Sequence, residues 1–209
     1  MSASARGRFV TLEGVDGAGK STHASWLAER LRAAGRRVVL TREPGGTPLG
    51  ERIRELLMGE TMDPIAETLL LFAARSDHLR RVIRPALERG DWVVCDRFTD
   101  ATYAYQGAAK GVPEEFIAAL ERRVQEGLRP DLTIVFDCSY ETSRGRLLGS
   151  GRGSDRFESQ GLVMFERVRS WYLHVVAIEP GRVKKVDAQK GQVEVKKQLD
   201  KILTSTCNI

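Results

Sequence analysis

The amino-acid sequence predicts an α/β fold: a five-stranded parallel sheet covered by helices on both faces, in a single domain over residues 1–209. Short runs rich in apolar and β-branched residues alternate with longer segments of helical periodicity from one end of the chain to the other. Alternation of that kind lays strands side by side through helical crossovers. A glycine-rich turn joins the first run to the first helical segment, and no repeat, linker or low-complexity tract breaks the pattern.

Phe9-Val10-Thr11-Leu12 is the first strand, and a helix from Ser21 onward closes at Gly35, where a left-handed residue ends it. Residues 36–41 read as the second strand. Next come the turn residues Arg42-Glu43-Pro44-Gly45-Gly46-Thr47-Pro48. Residues 49–57 have helical spacing, with Ile53, Leu56 and Leu57 inward and Arg52, Arg54 and Glu55 available for polar work. Asp63 is the N-cap and Pro64 the first residue of a longer helix that stops at Gly90, bent or divided by Pro85. Trp92-Val93-Val94-Cys95 is the third strand and runs into Asp96-Arg97-Phe98. A helix from Pro113 ends at Gly127, and residues 132–136 form the fourth strand, ending at Asp137. Residues 149–157 read as a flexible, arginine-bearing loop between two helices. A helix over 157–178, a strand over 182–186 and a helix over 193–203 complete the chain, with 204–209 expected to fray.

The turn after the first strand, Gly14-Val15-Asp16-Gly17-Ala18-Gly19-Lys20-Ser21, fits the P-loop pattern of two glycines four residues apart followed by Lys-Ser. Glycines let backbone N–H groups wrap phosphate oxygens, and the helix that opens at Ser21-Thr22 adds its positive dipole end. Lys20 is then placed to reach the β- and γ-phosphates, and the Ser21 hydroxyl to join a Mg²⁺ shell. The expectation is a P-loop NTPase fold that binds a nucleoside triphosphate.

Composition bounds the partners. At 42% hydrophobic and 29% charged residues, the chain has the balance of an ordinary soluble globule. Its longest apolar run, Leu69-Leu70-Leu71-Phe72-Ala73-Ala74, falls short of the ~18 residues a membrane span needs. The first residues carry no signal-peptide core, so a cytoplasmic protein without a membrane partner is expected. Cys95, Cys138 and Cys207 are too scattered for a disulfide framework or a zinc pair. The net charge of +5 raises the question of nucleic acid. The arginines are dispersed, however, and Lys184-Lys185 and Lys196-Lys197 read as solvated faces, so no nucleic-acid partner is expected. Arginine suits bidentate phosphate recognition instead. His23, His78 and His174 read as surface or helix-packing residues, not metal ligands.

Beyond the P-loop, two segments point to a second, phosphate-bearing substrate. Asp96 lies past a buried strand, where a carboxylate can hold Mg²⁺ or its waters, and Arg97 can face a different phosphate. Asp137 is a rival for the same duty but has no arginine after it. The loop over 149–157 combines glycine hinges with Arg152 and Arg156, the mobility and charge that a phosphate-closing lid requires.

With these segments in view, the chain resembles the bacterial thymidylate kinases, P-loop nucleoside monophosphate kinases, from about Arg8 to the last helix. The resemblance rests on the P-loop with Asp16, on Arg42-Glu43-Pro44-Gly45-Gly46-Thr47, on Phe72-Ala73-Ala74-Arg75, on Asp96-Arg97-Phe98 and on Thr102-Tyr103-Ala104-Tyr105-Gln106-Gly107. It implies ATP-dependent phosphorylation of dTMP to dTDP in dTTP biosynthesis, with Mg²⁺ as cofactor, by a homodimer. It further implies that Asp16 accepts from the 3′-hydroxyl of dTMP, while Arg97 and Lys20 hold its phosphate and the group in transfer. Phe72 is to stack on thymine, Arg75 and Gln106 to bind its polar edge, with Thr102, Arg54 and Pro44 alongside, and Tyr105 is to crowd the sugar 2′ carbon. The family often places the stacking aromatic four residues before the arginine. Here that place holds Leu71, so helix register decides between Leu71 and Phe72. Gly17 stands where some relatives have an arginine, and the charge-stabilising role passes to the lid, to Arg152 and Arg156. A kinase for another nucleoside monophosphate is the nearest rival reading; an NTP-driven switch or partitioning ATPase is a second, which leaves the arginine-rich loop and the 102–106 segment without a task.

Overall fold

The computed structural model describes residues 6–149, 154–207 and 209, the side chains of 154–160 excepted. Five parallel strands form one sheet in the order β2-β3-β1-β4-β5. They are β1 (Phe9–Gly14), β2 (Val38–Arg42), β3 (Trp92–Asp96), β4 (Leu132–Asp137) and β5 (Val183–Asp187). β1 is buried along its whole length. It pairs with β3 through Leu12↔Asp96 and with β4 through Gly14↔Phe136. Helices pack against the sheet, among them α1 (Lys20–Ala33), α8 (Ser154–Ile178) and α9 (Gln192–Cys207). The main core joins Val10, Leu12, Leu27, Ile134, Phe136, Tyr172 and Leu199. No helix among the described residues is long and apolar enough to cross a membrane.

Most boundaries follow local chemistry. α1 ends as expected, with Gly35 at φ 77° just beyond Ala34. Asp63 caps α3 (Pro64–His78): its Oδ1 accepts from the N–H groups of Ile65 at 2.8 Å and Ala66 at 3.4 Å. Pro85 does divide the long helix. A π-helical stretch, Leu79–Ile83, precedes α4 (Arg84–Glu88), and the Arg84 N–H reaches back to Leu79 O. Proline cannot donate to the i−4 carbonyl, and a widened turn is where a helix absorbs such an interruption.

Four expectations need correction. Leu56 in α2 (Pro48–Gly59) is 38% exposed instead of inward. Residues 99–109, given no element from sequence, form the short helix α5 (Thr99–Thr102) and a π-helical stretch, Tyr103–Ala109. The tail does not fray at 204: α9 continues to buried Cys207, and Arg8 Nη1 donates to Thr206 O at 3.0 Å. The expected loop over 149–157 is helical wherever it is described: α7 (Tyr140–Gly149) includes Gly149, and α8 begins at Ser154. Arg156 is thus a helical residue, and Arg152 lies outside the described residues. Within α8, Gly161 departs from helical geometry with φ 61° and ψ 165°.

Candidate active site

β1 delivers the chain to the C-terminal edge of the sheet in the middle of the fold, and two glycines make the turn there possible. Gly14 has φ 130°, and a Cβ on it would lie 2.4 Å from Phe136 O. Gly17 has φ 74°, and a Cβ there would meet Ser143 O at 2.5 Å. A side chain at 17 therefore has no room against α7 without a shift of backbone. Ser143 Oγ also donates to Asp16 O at 2.5 Å, fixing the loop from below. Val15 and Ala18 are buried, Asp16 is exposed, and Gly19 enters α1 with φ 91°.

Lys20 folds along this loop, its Nζ donating to Gly14 O at 3.0 Å and Val15 O at 2.7 Å. It is 6% exposed, and burial together with the nearby Arg97 charge lowers its pKa to about 8. A bound phosphate would reverse that, since an anion at this point favours the charged amine. Ser21 Oγ donates to Asp96 Oδ2 at 2.5 Å, which sets a hydroxyl and a carboxylate side by side at the sheet edge. Hard oxygen donors of this kind suit Mg²⁺, so the residues fit the ion that the fold family uses. Thr22 is exposed on the first turn of α1. Asp137 is placed differently: its Oδ1 accepts from Arg169 Nε at 2.7 Å, and the ion pair occupies it.

Beyond β3 the chain turns sharply at Arg97, whose φ of 72° is unusual for a residue with a side chain. Its guanidinium carbon sits 4.6 Å from the Tyr105 ring centroid. Nη2 donates to Asp16 Oδ1 at 2.7 Å and to the Tyr105 hydroxyl at 3.0 Å. Nη1 is buried without a hydrogen-bond partner among the described residues. Behind the turn lies Glu13, fully buried, with Oε1 accepting from Phe98 N–H and Oε2 from the Tyr172 hydroxyl, each at 2.7 Å. Burial and the Asp100 charge push the Glu13 pKa up to about 8.

A second arginine ends the site on the other side. Arg75 is 2% exposed, 4.7 Å from the Phe72 ring centroid and 5.1 Å from that of Phe98. Nε donates to Glu43 Oε2 at 2.7 Å, Nη2 donates to Thr102 Oγ1 at 3.1 Å, and Nη1 is again buried and unpartnered among the described residues. Burial opposes ionisation of Glu43, but Arg75 and His78 outweigh it and hold the carboxyl below its usual range. Leu71 packs away from this group, with Ile53, Leu57 and Ala74, so the register puts Phe72 beside the arginine. Gln106 Nε2 donates to Glu67 Oε1 at 3.2 Å, and Arg54 Nη1 to Pro44 O at 3.1 Å, next to a cis Glu43–Pro44 bond.

The structure therefore gathers the P-loop, Asp96, Arg97 and Tyr105 at one edge, and Phe72, Arg75 and Thr102 beside them. Sequence reasoning gave no role to Glu13, Glu43, His78, Ser143 or Tyr172. Glu13 does carry a signal in hindsight, a lone acid at the end of an apolar strand. His78, read as a surface or packing residue, is fully buried between Glu43 and Thr41.

A phosphate cradle beside the half-buried Arg97, with the buried Arg75 beyond it against Phe98, can hold two phosphate-bearing ligands against each other. On this fold, that defines a P-loop nucleotide kinase. Comparison with known proteins narrows the class. A family model described as "Thymidylate kinase" matches residues 12–199. The chain is 56% identical over 195 residues to a thymidylate kinase of Bordetella petrii, covering 93% of this chain and 94% of that one. It is also 56% identical over 200 residues to one from Pseudomonas syringae pv. tomato, covering 94% and 95%. A solved thymidylate kinase structure from Ehrlichia chaffeensis superposes with a TM-score of 0.77 at 32% identity, covering 95% of this chain and 99% of that one. The chain belongs to the thymidylate kinase family.

Proposed function

We propose that this chain phosphorylates dTMP to dTDP with ATP as donor, by in-line transfer of the γ-phosphoryl group to a phosphate oxygen of dTMP. The observation that carries the division of labour is the pair of buried, unpartnered Nη1 atoms on Arg97 and Arg75. Buried donors are almost always satisfied, so one of them beside the P-loop aspartate and one against Phe72 are best understood as awaiting ligand oxygens. Arg97 then takes the dTMP phosphate and Arg75 a carbonyl of thymine, with Phe72 walling the base and Gln106 and Thr102 nearby. Asp16 and Tyr105 border the sugar, with Arg54 and Pro44 at the neighbouring loop. The P-loop, from Gly14 to Thr22, holds the ATP phosphates, and Lys20 bridges toward the group in transfer. Arg152 and Arg156, through a lid, complete the charge on the donor side.

Ser21 and Asp96 would hold Mg²⁺, which when bound neutralises phosphate charge. The acceptor phosphate has a second pKa near ~6 and is mostly dianionic at neutral pH, so the site needs no strong general base. Its task is positioning and charge neutralisation. The same reading includes a homodimer, supported by the apolar side chains Leu56, Ile65 and Leu69 that α2 and α3 leave exposed.

An ADP-release assay with ATP, Mg²⁺ and each of dTMP, dUMP, ribo-TMP, UMP, CMP and AMP tests the reading. Turnover confined largely to dTMP is expected. Equal turnover with UMP or CMP would remove Arg75 and Tyr105 as the selectivity filter, and ATP hydrolysis indifferent to every acceptor would overturn the kinase reading.

A further inference from the structure

A residue with a side chain persists in the left-handed region only where its surroundings hold it there. Arg97, at φ 72°, is held from both sides by β1. Its own N–H donates to Leu12 O at 3.0 Å, and the following N–H, on Phe98, donates to Glu13 Oε1 at 2.7 Å. The strand that leads into the P-loop thus dictates the path of the chain after β3. Glu13 is fully buried, and its second oxygen is fixed by the Tyr172 hydroxyl, presented from α8 at 2.7 Å. Burying a carboxyl group inside an apolar strand is costly. A position that only filled space would be served better by leucine or valine.

We propose that Glu13 is a positioning residue for phosphoryl transfer: its carboxyl group captures the Phe98 N–H and so fixes the left-handed turn that aims Arg97. Tyr172 supports it by holding the other oxygen. The inference rests on the role given to Arg97 above. Without an acceptor at Glu13, the Phe98 amide is left buried and unsatisfied. The peptide between Arg97 and Phe98 then gains by rotating, which draws the guanidinium off Tyr105 and Asp16. Glutamine keeps an acceptor at the same place, whereas leucine keeps the bulk and removes the acceptor.

The test is a cycle of Glu13 variants with and without Arg97→Ala. Glu13→Leu is expected to lower kcat about 10- to 100-fold while KM for ATP moves less than about twofold, the scale of a misplaced catalytic group. Glu13→Gln is expected within about threefold of the parent, since its amide oxygen still accepts. In the Arg97→Ala background, Glu13→Leu should cost less than about twofold, because groups that act through one another are not additive. An equal loss in both backgrounds, with Arg97→Ala itself severely impaired, would overturn the positioning role and leave the Arg97 role standing. A near-normal kcat for Arg97→Ala would instead overturn the Arg97 role, and the Glu13 proposal with it. Should Glu13→Leu fail to fold, Tyr172→Phe carries the same cycle, with an expected loss of about three- to tenfold confined to the Arg97 background; an equal loss in both would again overturn the proposal.

Discussion

Buried beneath the candidate base site, Glu43 accepts from Arg75 Nε at 2.7 Å and from His78 Nδ1 at 3.0 Å. An ionised carboxylate only accepts, so Nδ1 carries a proton. The other ring nitrogen meets Thr41 Oγ1 at 2.7 Å. Arg75 is in this way oriented by a chain of buried polar groups that reaches back to β2. Removing one partner of a buried ion pair strands the other charge, at a cost of about 3–5 kcal/mol. Glu43→Ala should lose stability on that scale in urea unfolding, and its KM for dTMP should rise with little change in KM for ATP. A variant with parental stability and parental KM values would show that Arg75 is oriented by something else. Nothing in the local sequence marks this pair, because Glu43 and Arg75 stand 32 residues apart. Glu13 shows locally only as an acid at the end of an apolar strand, because its partners lie 85 and 159 residues away. The chemistry-bearing residues of the P-loop were legible because their spacing is itself the motif; the residues that aim them are defined only by the fold.

At the scale of elements, punctuation made the fold readable. Gly35 and Asp63-Pro64 each end or begin a helix for reasons visible in a few residues. The π-helical stretch Tyr103–Ala109 was not readable, because its widened turn answers to packing against α8 and not to a local signal. Nor could the periodicity of α2 show which apolar residues stay outside. Leu56 and, on α3, Ile65 and Leu69 are 38%, 37% and 48% exposed. Ile65 and Leu69 stand one turn apart on a single stripe of α3, where helical residues four apart are neighbours. A second copy would cover such a stripe. In sedimentation velocity, the chain should run at about twice its monomer mass, and Leu69→Glu should shift it toward monomer by placing a charge in an apolar contact. A parent chain that sediments as a monomer across concentration would remove the homodimer from the proposed function.

For the whole molecule, two perturbed groups at the phosphate edge act on stability in opposite directions. The folded-state pKa of Glu13 is raised from 4.5 to about 8 by burial and the Asp100 charge. The folded protein therefore holds a proton that the unfolded chain releases, and this contribution, complete below the unfolded value of 4.5, is lost as pH rises toward 8. Lys20 is lowered from 10.5 to about 8 by burial and Arg97. Here the unfolded chain binds the extra proton between 8 and 10.5, so stability rises across that window and is lost as pH falls through 8. Together they predict a shallow minimum of stability near pH 8 in nucleotide-free protein, read as the unfolding midpoint in urea across pH 6–10. Glu13→Gln should flatten the acid limb alone and Lys20→Met the alkaline limb alone. Saturating ATP should also flatten the alkaline limb, since bound phosphates keep Lys20 charged. A monotonic profile that neither substitution alters would mean that both groups keep ordinary protonation in the folded state. An alkaline limb insensitive to ATP while Lys20→Met removes it would place the nucleotide phosphates away from Lys20.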